Sequence, residues 1–480
     1  MNFKNKGLLI LGVALIVSVL LVYFVPSPIN KFLFLFILPI TWYSKKDYLW
    51  LAFFFIIMDY PGGLFSGGLR YDQSRLPLYT IVPGVAFTIK ELYLILLLIK
   101  INYFPKYRKH KIKNYFKKEL LFFVYYLVFL LFISLLLGMS LDSLRNFYKV
   151  CINLTIFYSI SYIIYSWDEL IKFFRIIFPF SIVALFFQIY SLINNQQFIA
   201  LLKSDVTSIQ GVFNMAGEEG IVERPIEMTN ILLICFTGSL MLLSYKKYSF
   251  NIKYLLFINV ISYLSIFFTA TRTWFLAFSA AYLLYFIIAR KHLLKLISMV
   301  TFALIIFFFL INVNQTLHTQ FSSAWSRIVT IGKIVEGDIT AGGTIKRYDV
   351  RAPRVMEGFW SSTILIGAGF SNHYYKYQDG HVGYHNILLN TGIFGILLTL
   401  FLIFKLFRVP YRLSKTFKTY DSICFLLRTS VIPLFVLLIL NIGTQTIGYT
   451  PYEINRYFLM AFSVLVINLS IRLSNEVKLK

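Results

Sequence analysis

Residues 254–290 read YLLFINVISYLSIFFTATRTWFLAFSAAYLLYFIIAR, and this stretch decides the class of fold. Two apolar segments are joined by the short polar sequence Thr271-Arg272-Thr273. Apolar stretches of this length are typical of helices that cross the hydrocarbon core of a bilayer, where every backbone polar group must be paired internally. The sequence therefore predicts two membrane helices that are joined by a turn at a membrane surface.

Similar apolar segments recur along the whole chain. Of its 480 residues, 58% are hydrophobic and 14% are charged, and the mean hydropathy is +0.72. Soluble proteins carry about 25% charged residues, so soluble enzymes, disordered chains and disulfide-stapled secreted domains are excluded. The composition predicts an all-α fold, a polytopic transmembrane helix bundle of about fourteen spans. The segments lie at about 7–25, 32–43, 48–58, 84–103, 119–137, 148–166, 176–193, 227–244, 254–270, 275–290, 296–313, 386–404, 423–440 and 456–471.

The basic residues indicate the orientation. The formal net charge is +25, and the positive residues form short clusters between apolar segments, for example within 106–118 and 405–418. The positive-inside rule places such connections in the cytoplasm, so both termini are predicted to be cytoplasmic. The first segment lacks a small-residue cleavage site and is expected to be retained. Nucleic acid is excluded as a partner, because binding it would need these charges on one continuous face.

Two parts of this arrangement depart from simple spans. The segments 32–43 and 48–58 are too short to cross a bilayer comfortably, and they predict a re-entrant hairpin around Ser44-Lys45-Lys46-Asp47. The segment 314–385 is too long for a mere connector and predicts a large extracytoplasmic loop with short helices. This loop divides the bundle into an N-terminal part, 1–313, with about eleven spans and a C-terminal part, 386–480, with about three. The other sizeable outer segments are 59–83, 194–226 and 441–455.

Basic side chains collect on the predicted outer face. Arg272 lies in its turn, and Arg347 and Arg351 are four residues apart, so they share a face if that stretch is helical. Pro353 is expected to start the next helix. Several guanidinium groups at a membrane surface suit a diphosphate, because each can donate a forked pair of hydrogen bonds to phosphate oxygens. The remaining candidates for binding the diphosphate or glycan are Arg145, Lys149, Arg224 and Arg327, together with His381 at the end of the large loop.

Each of these residues has a simpler interpretation. Long basic side chains near helix ends can extend to lipid headgroups without binding a substrate. For Arg145 and Lys149 the two interpretations are equally good, whereas the turn that contains Arg272 favours a functional role. Arg428, near the opposite surface, is explained by extension to headgroups. The adjacent Lys90-Glu91 pair is expected to neutralise itself.

Two histidines end the large loop. His381 and His385 are four residues apart, and His385 is the candidate for a general base or a group that orients the acceptor, because imidazole titrates near neutral pH. A plain interfacial histidine that caps a helix is the alternative. Two histidines could also hold a metal ion, but no third ligand is obvious, so no metal and no other cofactor is predicted.

Three motifs lie between about 265 and 400. The first is the small-residue turn Thr269-Ala270-Thr271-Arg272-Thr273, and the second is a loop arginine, Arg347 or Arg351, followed by the turn Ile366-Gly367-Ala368-Gly369. The third is His385-Asn386, which opens a span that contains Gly392 and Gly395. Together they resemble the motifs of the O-antigen polymerase and O-antigen ligase superfamily, which are bacterial membrane glycosyltransferases.

The resemblance implies a GT-C-like helical architecture and catalysis at the outer face of the bacterial cytoplasmic membrane. It implies that His385, Arg347 and Arg272 are catalytic, and that Asn386 fixes a sugar or the loop backbone. The implied partners are a donor glycan on undecaprenyl diphosphate, a glycan acceptor and the lipid bilayer, with a chain-length regulator and a flippase acting alongside. Neither a metal nor another cofactor is implied.

Three functions remain open at this stage. A polymerase would join lipid-linked oligosaccharide repeat units into O-antigen or capsular polysaccharide. A ligase would pass the lipid-linked glycan to lipid A-core or to another acceptor. A flippase or other transporter of lipid-linked glycans is less favoured, because transporters place their polar groups near the bilayer midplane, whereas here the polar residues collect at a surface.

Overall fold

The computed structural model describes residues 6–57, 76–82, 85–108, 115–194, 198, 215–217, 220–222, 228–243, 250–269, 271–289, 347–417, 421–443, 445–447 and 454–478, with short pieces between 294 and 329 that include 318–322. Arg224 and Arg327 lie outside the described residues, and only the backbone of Arg347 is described. Statements about the structure below refer to this part of the chain.

The described residues are almost entirely helical. The helices are α1 (Lys6–Phe24), α2 (Ile29–Leu35), α3 (Ile37–Tyr43), α4 (Asp47–Ile57), α5 (Ile89–Tyr103), α6 (Pro105–Arg108), α7 (Lys117–Leu136), α8 (Leu141–Leu154), α9 (Ile156–Ile163), α10 (Trp167–Ile177), α11 (Phe180–Asn194), α12 (Thr229–Leu243), α13 (Ile252–Phe268), α14 (Arg272–Ala289), α15 (Ala352–Trp360), α16 (Asn372–Tyr377), α17 (Gly383–Thr416), α18 (Asp421–Thr429), α19 (Ile432–Gly443) and α20 (Ile454–Lys478). The strands β1 (Leu78–Val82) and β2 (Val85–Thr88) form one antiparallel hairpin, and β3 (Met215–Gly217) and β4 (Gly220–Val222) form a second.

The apolar helices confirm the predicted class, a helical membrane protein. Within the described residues, six stretches are long and apolar enough to cross a membrane: Gly7–Phe24, Lys117–Leu136, Trp167–Asn194, Gly383–Thr416, Ser422–Gly443 and Arg456–Leu473. Five shorter apolar stretches accompany them: Ile29–Tyr43, Asp47–Ile57, Thr229–Leu243, Ile252–Phe268 and Arg272–Ile288. The count of about fourteen spans is not confirmed, and the predicted span 296–313 falls almost wholly outside the described residues.

The helices differ in how much of their surface the protein itself covers. Every residue of α12 is buried, and 83% of the apolar window of α20 is buried, so these two helices form the centre of the bundle. In α1 and α7 only 17% and 28% of the window are buried. Because a bilayer solvates apolar side chains as well as a protein interior does, such helices belong at the lipid-facing periphery.

Several predicted spans are pairs of shorter helices. The segment 148–166 contains the end of α8 and all of α9, and the helices meet at Thr155, whose hydroxyl donates to the Ile152 carbonyl (2.6 Å). The two short segments of the predicted hairpin are helical: 32–43 contains the end of α2 and all of α3, and the second segment corresponds to α4. Lys100 fixes the turn between them by donating from Nζ to the Thr41 carbonyl (2.9 Å) and to Asp47 Oδ1 (2.5 Å).

The most unusual backbone feature interrupts α17. Gly392 has φ 62° and ψ −171°, a conformation that is essentially confined to glycine. An unbroken helix would pair the amides of Ile393 and Phe394 with the carbonyls of Leu389 and Asn390. Here residues of the turn 364–369 provide the hydrogen-bond partners of these two amides and two carbonyls instead. Its amides at Ala368 and Gly369 donate to residues 389 and 390 (2.8 Å each), and its carbonyls at residues 364 and 365 accept from residues 393 and 394 (3.1 and 3.0 Å).

This arrangement explains the Gly-x-Gly turn that the sequence suggested. Gly367 and Gly369 both have positive φ, and a Cβ on Gly367 would lie 2.4 Å from the amide nitrogen of Gly392. The Asn390 side chain adds a hydrogen bond from Nδ2 to the Gly369 carbonyl (2.6 Å). The turn therefore joins the large loop to the broken helix.

Replacing Gly392 by alanine should strongly destabilise the protein. The glycine-only conformation costs an L residue about 1–3 kcal/mol, and the new Cβ would lie 2.5 Å from the backbone atoms of Ile366 and Gly367. We expect a clear fall in the temperature at which the detergent-purified protein loses its monodisperse elution peak. Gly12→Ala is the matched control, because a Cβ there meets no atom within 4 Å. Equal melting of the two variants would contradict this role of Gly392.

Candidate functional site

Four helix ends meet at one end of the bundle. The amide of Gln445, just after α19, donates to the Gly380 carbonyl, just before α17 (2.8 Å). Arg456, at the start of α20, donates from Nη1 to the Gln445 carbonyl (2.8 Å). The start of α14 is close by, since a Cβ on Gly443 would lie 2.5 Å from Thr273 Oγ1. We call this the loop end of the bundle, because residues 347–382 also pack there.

Asn386 holds the backbone at the start of α17. Its side chain is fully buried, and its Nδ2 donates to the Asp379 carbonyl (2.5 Å) and to Gln445 Oε1 (3.1 Å). Its Oδ1 accepts from the Asp379 amide (3.0 Å). The sequence left two roles open for Asn386, binding a sugar or fixing the loop backbone, and these hydrogen bonds favour the second.

Asp379 links this turn to the arginine stretch of the loop. Its Oδ1 accepts from the His381 amide (2.9 Å) and lies 3.4 Å from Arg351 Nη1. The residues Arg347–Arg351 form one turn of π-helix that leads into α15, with Pro353 in the first turn of α15 as predicted. Arg351 is thus held beside the start of α17, with its side chain 37% exposed.

The sequence did not point to two residues of the site, Arg456 and Gln445. Arg456 is only 8% exposed, and besides Gln445 it contacts Asn230 at the start of α12, with 3.5 Å between Nε and Oδ1. Gln445 connects Arg456 to Asn386, as described above. A signal was present, because both residues lie in or next to the outer segment 441–455, which is polar although it joins two apolar helices.

Arg272 is the first residue of α14, as the turn motif predicted, and its side chain is partly buried. The turn before it is held by a hydrogen bond from the Thr271 hydroxyl to the Thr269 carbonyl (3.0 Å). A part of the predicted large loop packs against the neighbouring end of α13, where Gln320 donates to the Phe268 carbonyl (3.1 Å). Arg272 therefore lies at the loop end, next to the end of α19.

The two histidines do not share a helix face. His385 lies in the first turn of α17 and is partly buried, whereas His381 precedes the helix, in the turn that Asp379 holds. The hydroxyl of Tyr384 donates to the Leu438 carbonyl (2.7 Å), so the residues on both sides of His385 are fixed. Within the described residues, no group of three or more His, Cys, Asp or Glu side chains could hold a metal ion.

Arg145 and Lys149 belong to a second basic group at the same end. Lys149 is 1% exposed, so extension to lipid headgroups does not explain it. It lies close enough to Glu91 and Lys90 for electrostatic interaction, and those two form the expected ion pair (3.4 Å, both fully buried). Asn146 donates to the Tyr375 hydroxyl (2.7 Å), which joins α8 to α16 in the large loop.

The loop end thus combines guanidinium groups, a partly buried imidazole and a rigid amide framework. Arginine forks are well suited to phosphate oxygens, and the framework fixes the backbone from which they project. No family model, no curated protein and no solved structure matches the chain. The apolar helices and the contacts at the loop end define only a broad class, that of helical membrane proteins with a polar site at one end of the bundle.

Proposed function

We propose that the protein is a membrane glycosyltransferase that polymerises undecaprenyl-diphosphate-linked oligosaccharide repeat units. The product would be O-antigen or capsular polysaccharide, made on the outer face of the bacterial cytoplasmic membrane. One observation carries the proposal. The Asn386–Gln445–Arg456 network ties together the starts of α17 and α20 and the end of α19, beside Arg272, Arg351 and His385.

The chemistry follows from where such an enzyme would work. Nucleotide sugars are absent outside the cytoplasm, so the donor must carry its own leaving group, and a glycosyl diphosphate does. The acceptor hydroxyl forms a bond to the anomeric carbon, while the bond from that carbon to the diphosphate oxygen breaks and its electron pair leaves with the diphosphate. His385 takes the proton of the hydroxyl. Arg272, Arg347 and Arg351 stabilise the charge of the departing diphosphate.

A polymerase and a ligase would share this donor and this step, and they differ only in the acceptor. The lipid-linked glycans of a strain that lacks the gene separate them. Loss of a polymerase leaves single repeat units attached to the acceptor, and this is the result we expect. Loss of a ligase leaves long chains on the lipid carrier. Loss of a transporter leaves the repeat units inside the cell, which would contradict both enzymes.

The proposal also fixes which side of the membrane α17 begins on. A His385→Cys variant should react with a membrane-impermeant maleimide added to intact cells, since residue 385 is partly exposed at the loop end. Thr416→Cys is the matched control at the other end of α17, about 36 Å along the helix beyond the break at Gly392, and it should be protected until the membrane is opened. Reaction of Thr416→Cys alone would overturn the proposed orientation.

A further inference from the structure

A groove lies between helices at the end of the bundle opposite the loop end. It has a volume of about 620 Å³ and is bounded by the second half of α14, the second half of α17 and the junction of α18 with α19. Leu284, Phe404, Phe407 and Phe435 are among its apolar lining residues. Arg408 lies about 24 Å along α17 beyond the break at Gly392, more than half of the roughly 30 Å thickness of a hydrocarbon core. The groove therefore belongs to the membrane leaflet remote from the candidate active site.

Two arginines line this apolar groove. Arg428 donates from Nε to Ser414 Oγ (3.1 Å), and the guanidinium of Arg408 lies 5.5 Å from the centre of the Phe404 ring. Among the described residues neither arginine forms an ion pair with a carboxylate. Both guanidinium groups are thus positioned by neutral partners, and their charge is not balanced within the described structure.

The apolar lining and the two arginines together indicate what kind of ligand the groove would bind. An apolar groove that opens to the bilayer suits a hydrocarbon chain, and Phe404 and Tyr411 at its rim are more than half exposed. Two guanidinium groups that form no ion pair among the described residues suit a phosphate at the end of that chain. A neutral zwitterionic headgroup would compensate the charge only in part. A simple extension of Arg408 and Arg428 to headgroups would need no groove beside them.

We propose that this groove binds an anionic phospholipid of the leaflet remote from the loop end, with an acyl chain between α14 and α17 and the phosphate on Arg408 and Arg428. The site is independent of the proposed glycan chemistry, because it uses none of the residues at the loop end. It is a lipid-binding site within the bundle, distinct from the general contact that every membrane protein makes with its bilayer.

The test measures which lipids stay bound. The full-length protein is purified in detergent that contains equal amounts of phosphatidylglycerol and phosphatidylcholine, and the retained lipids are quantified by mass spectrometry. The wild type should retain phosphatidylglycerol in preference. The variant Arg408→Gln/Arg428→Gln should retain about thirtyfold less of it, which corresponds to about 1 kcal/mol for each arginine.

Two further variants keep the test decisive. Lys172→Gln/Arg412→Gln removes two positive charges that do not line the groove, and it should retain phosphatidylglycerol like the wild type. Leu284→Trp keeps both arginines but fills the apolar groove, and it should lose the lipid. Equal retention of both lipids by the wild type would overturn the proposal, as would undiminished retention by either groove variant. Matching elution profiles and melting temperatures show that each variant is folded.

Discussion

Replacing Arg272 by alanine should lower the formation of glycan polymer by about 100- to 1,000-fold, which is the loss typical of removing one donor that stabilises a developing negative charge. Arg272 begins α14 at the loop end, next to the end of α19. In the proposed mechanism its charge stabilises the departing diphosphate, so the loss should appear in the rate and not in the amount of folded protein. Arg347→Ala should have the same effect.

The variants at position 272 separate charge from geometry. Arg272→Lys keeps the charge but not the planar fork, so it should recover only part of the activity. Arg412→Ala is the matched control, because it removes an exposed arginine near the far end of α17 and should leave polymer formation unchanged. Polymer of normal amount and length from both Arg272→Ala and Arg347→Ala would contradict the diphosphate assignment.

Replacing His385 by alanine should lower polymer formation by about 100- to 10,000-fold, the range expected when a general base is lost. A base must be unprotonated to accept the acceptor's proton, so wild-type activity should fall when the pH is lowered far enough for the imidazole to become charged. The residual activity of His385→Ala should lack this fall. The measurement is the initial rate of chain extension as a function of pH.

His318→Gln is the control for this experiment. His318 is exposed, lies outside the network around Asn386, and its replacement should change neither the rate nor the pH profile. If His385→Ala kept the acidic fall of the wild type, His385 would be a residue that only positions the loop, and the base would have to be sought elsewhere.

The sequence predicted the class of fold well, because hydropathy depends on composition over long windows. It predicted the helix start at Pro353 and the turn before Arg272 from local chemistry. It did not predict where helices are interrupted. The break at Gly392 depends on hydrogen bonds with residues 364–369, and those partners cannot be identified from the hydropathy of α17 itself.

The candidate site was predicted in part. Basic residues beside apolar segments pointed to Arg272 and Arg351, and the structure places both at the loop end. Arg456 and Gln445 were missed, because their importance lies in hydrogen bonds to residues far away in sequence, such as Asn230 and Asn386. The sequence shows which residues are polar, but it does not show which of them contact each other in the folded protein.

The proposal that this protein extends lipid-linked glycans is tested most directly by reconstitution. The purified protein is placed in liposomes with undecaprenyl-diphosphate-linked repeat units, without nucleotide, added metal or an ion gradient, and the glycans are separated by size. We expect a ladder of products that differ by whole repeat units, with release of undecaprenyl diphosphate. Repeat units that keep their original length, whether or not they have crossed the bilayer, would contradict the proposal.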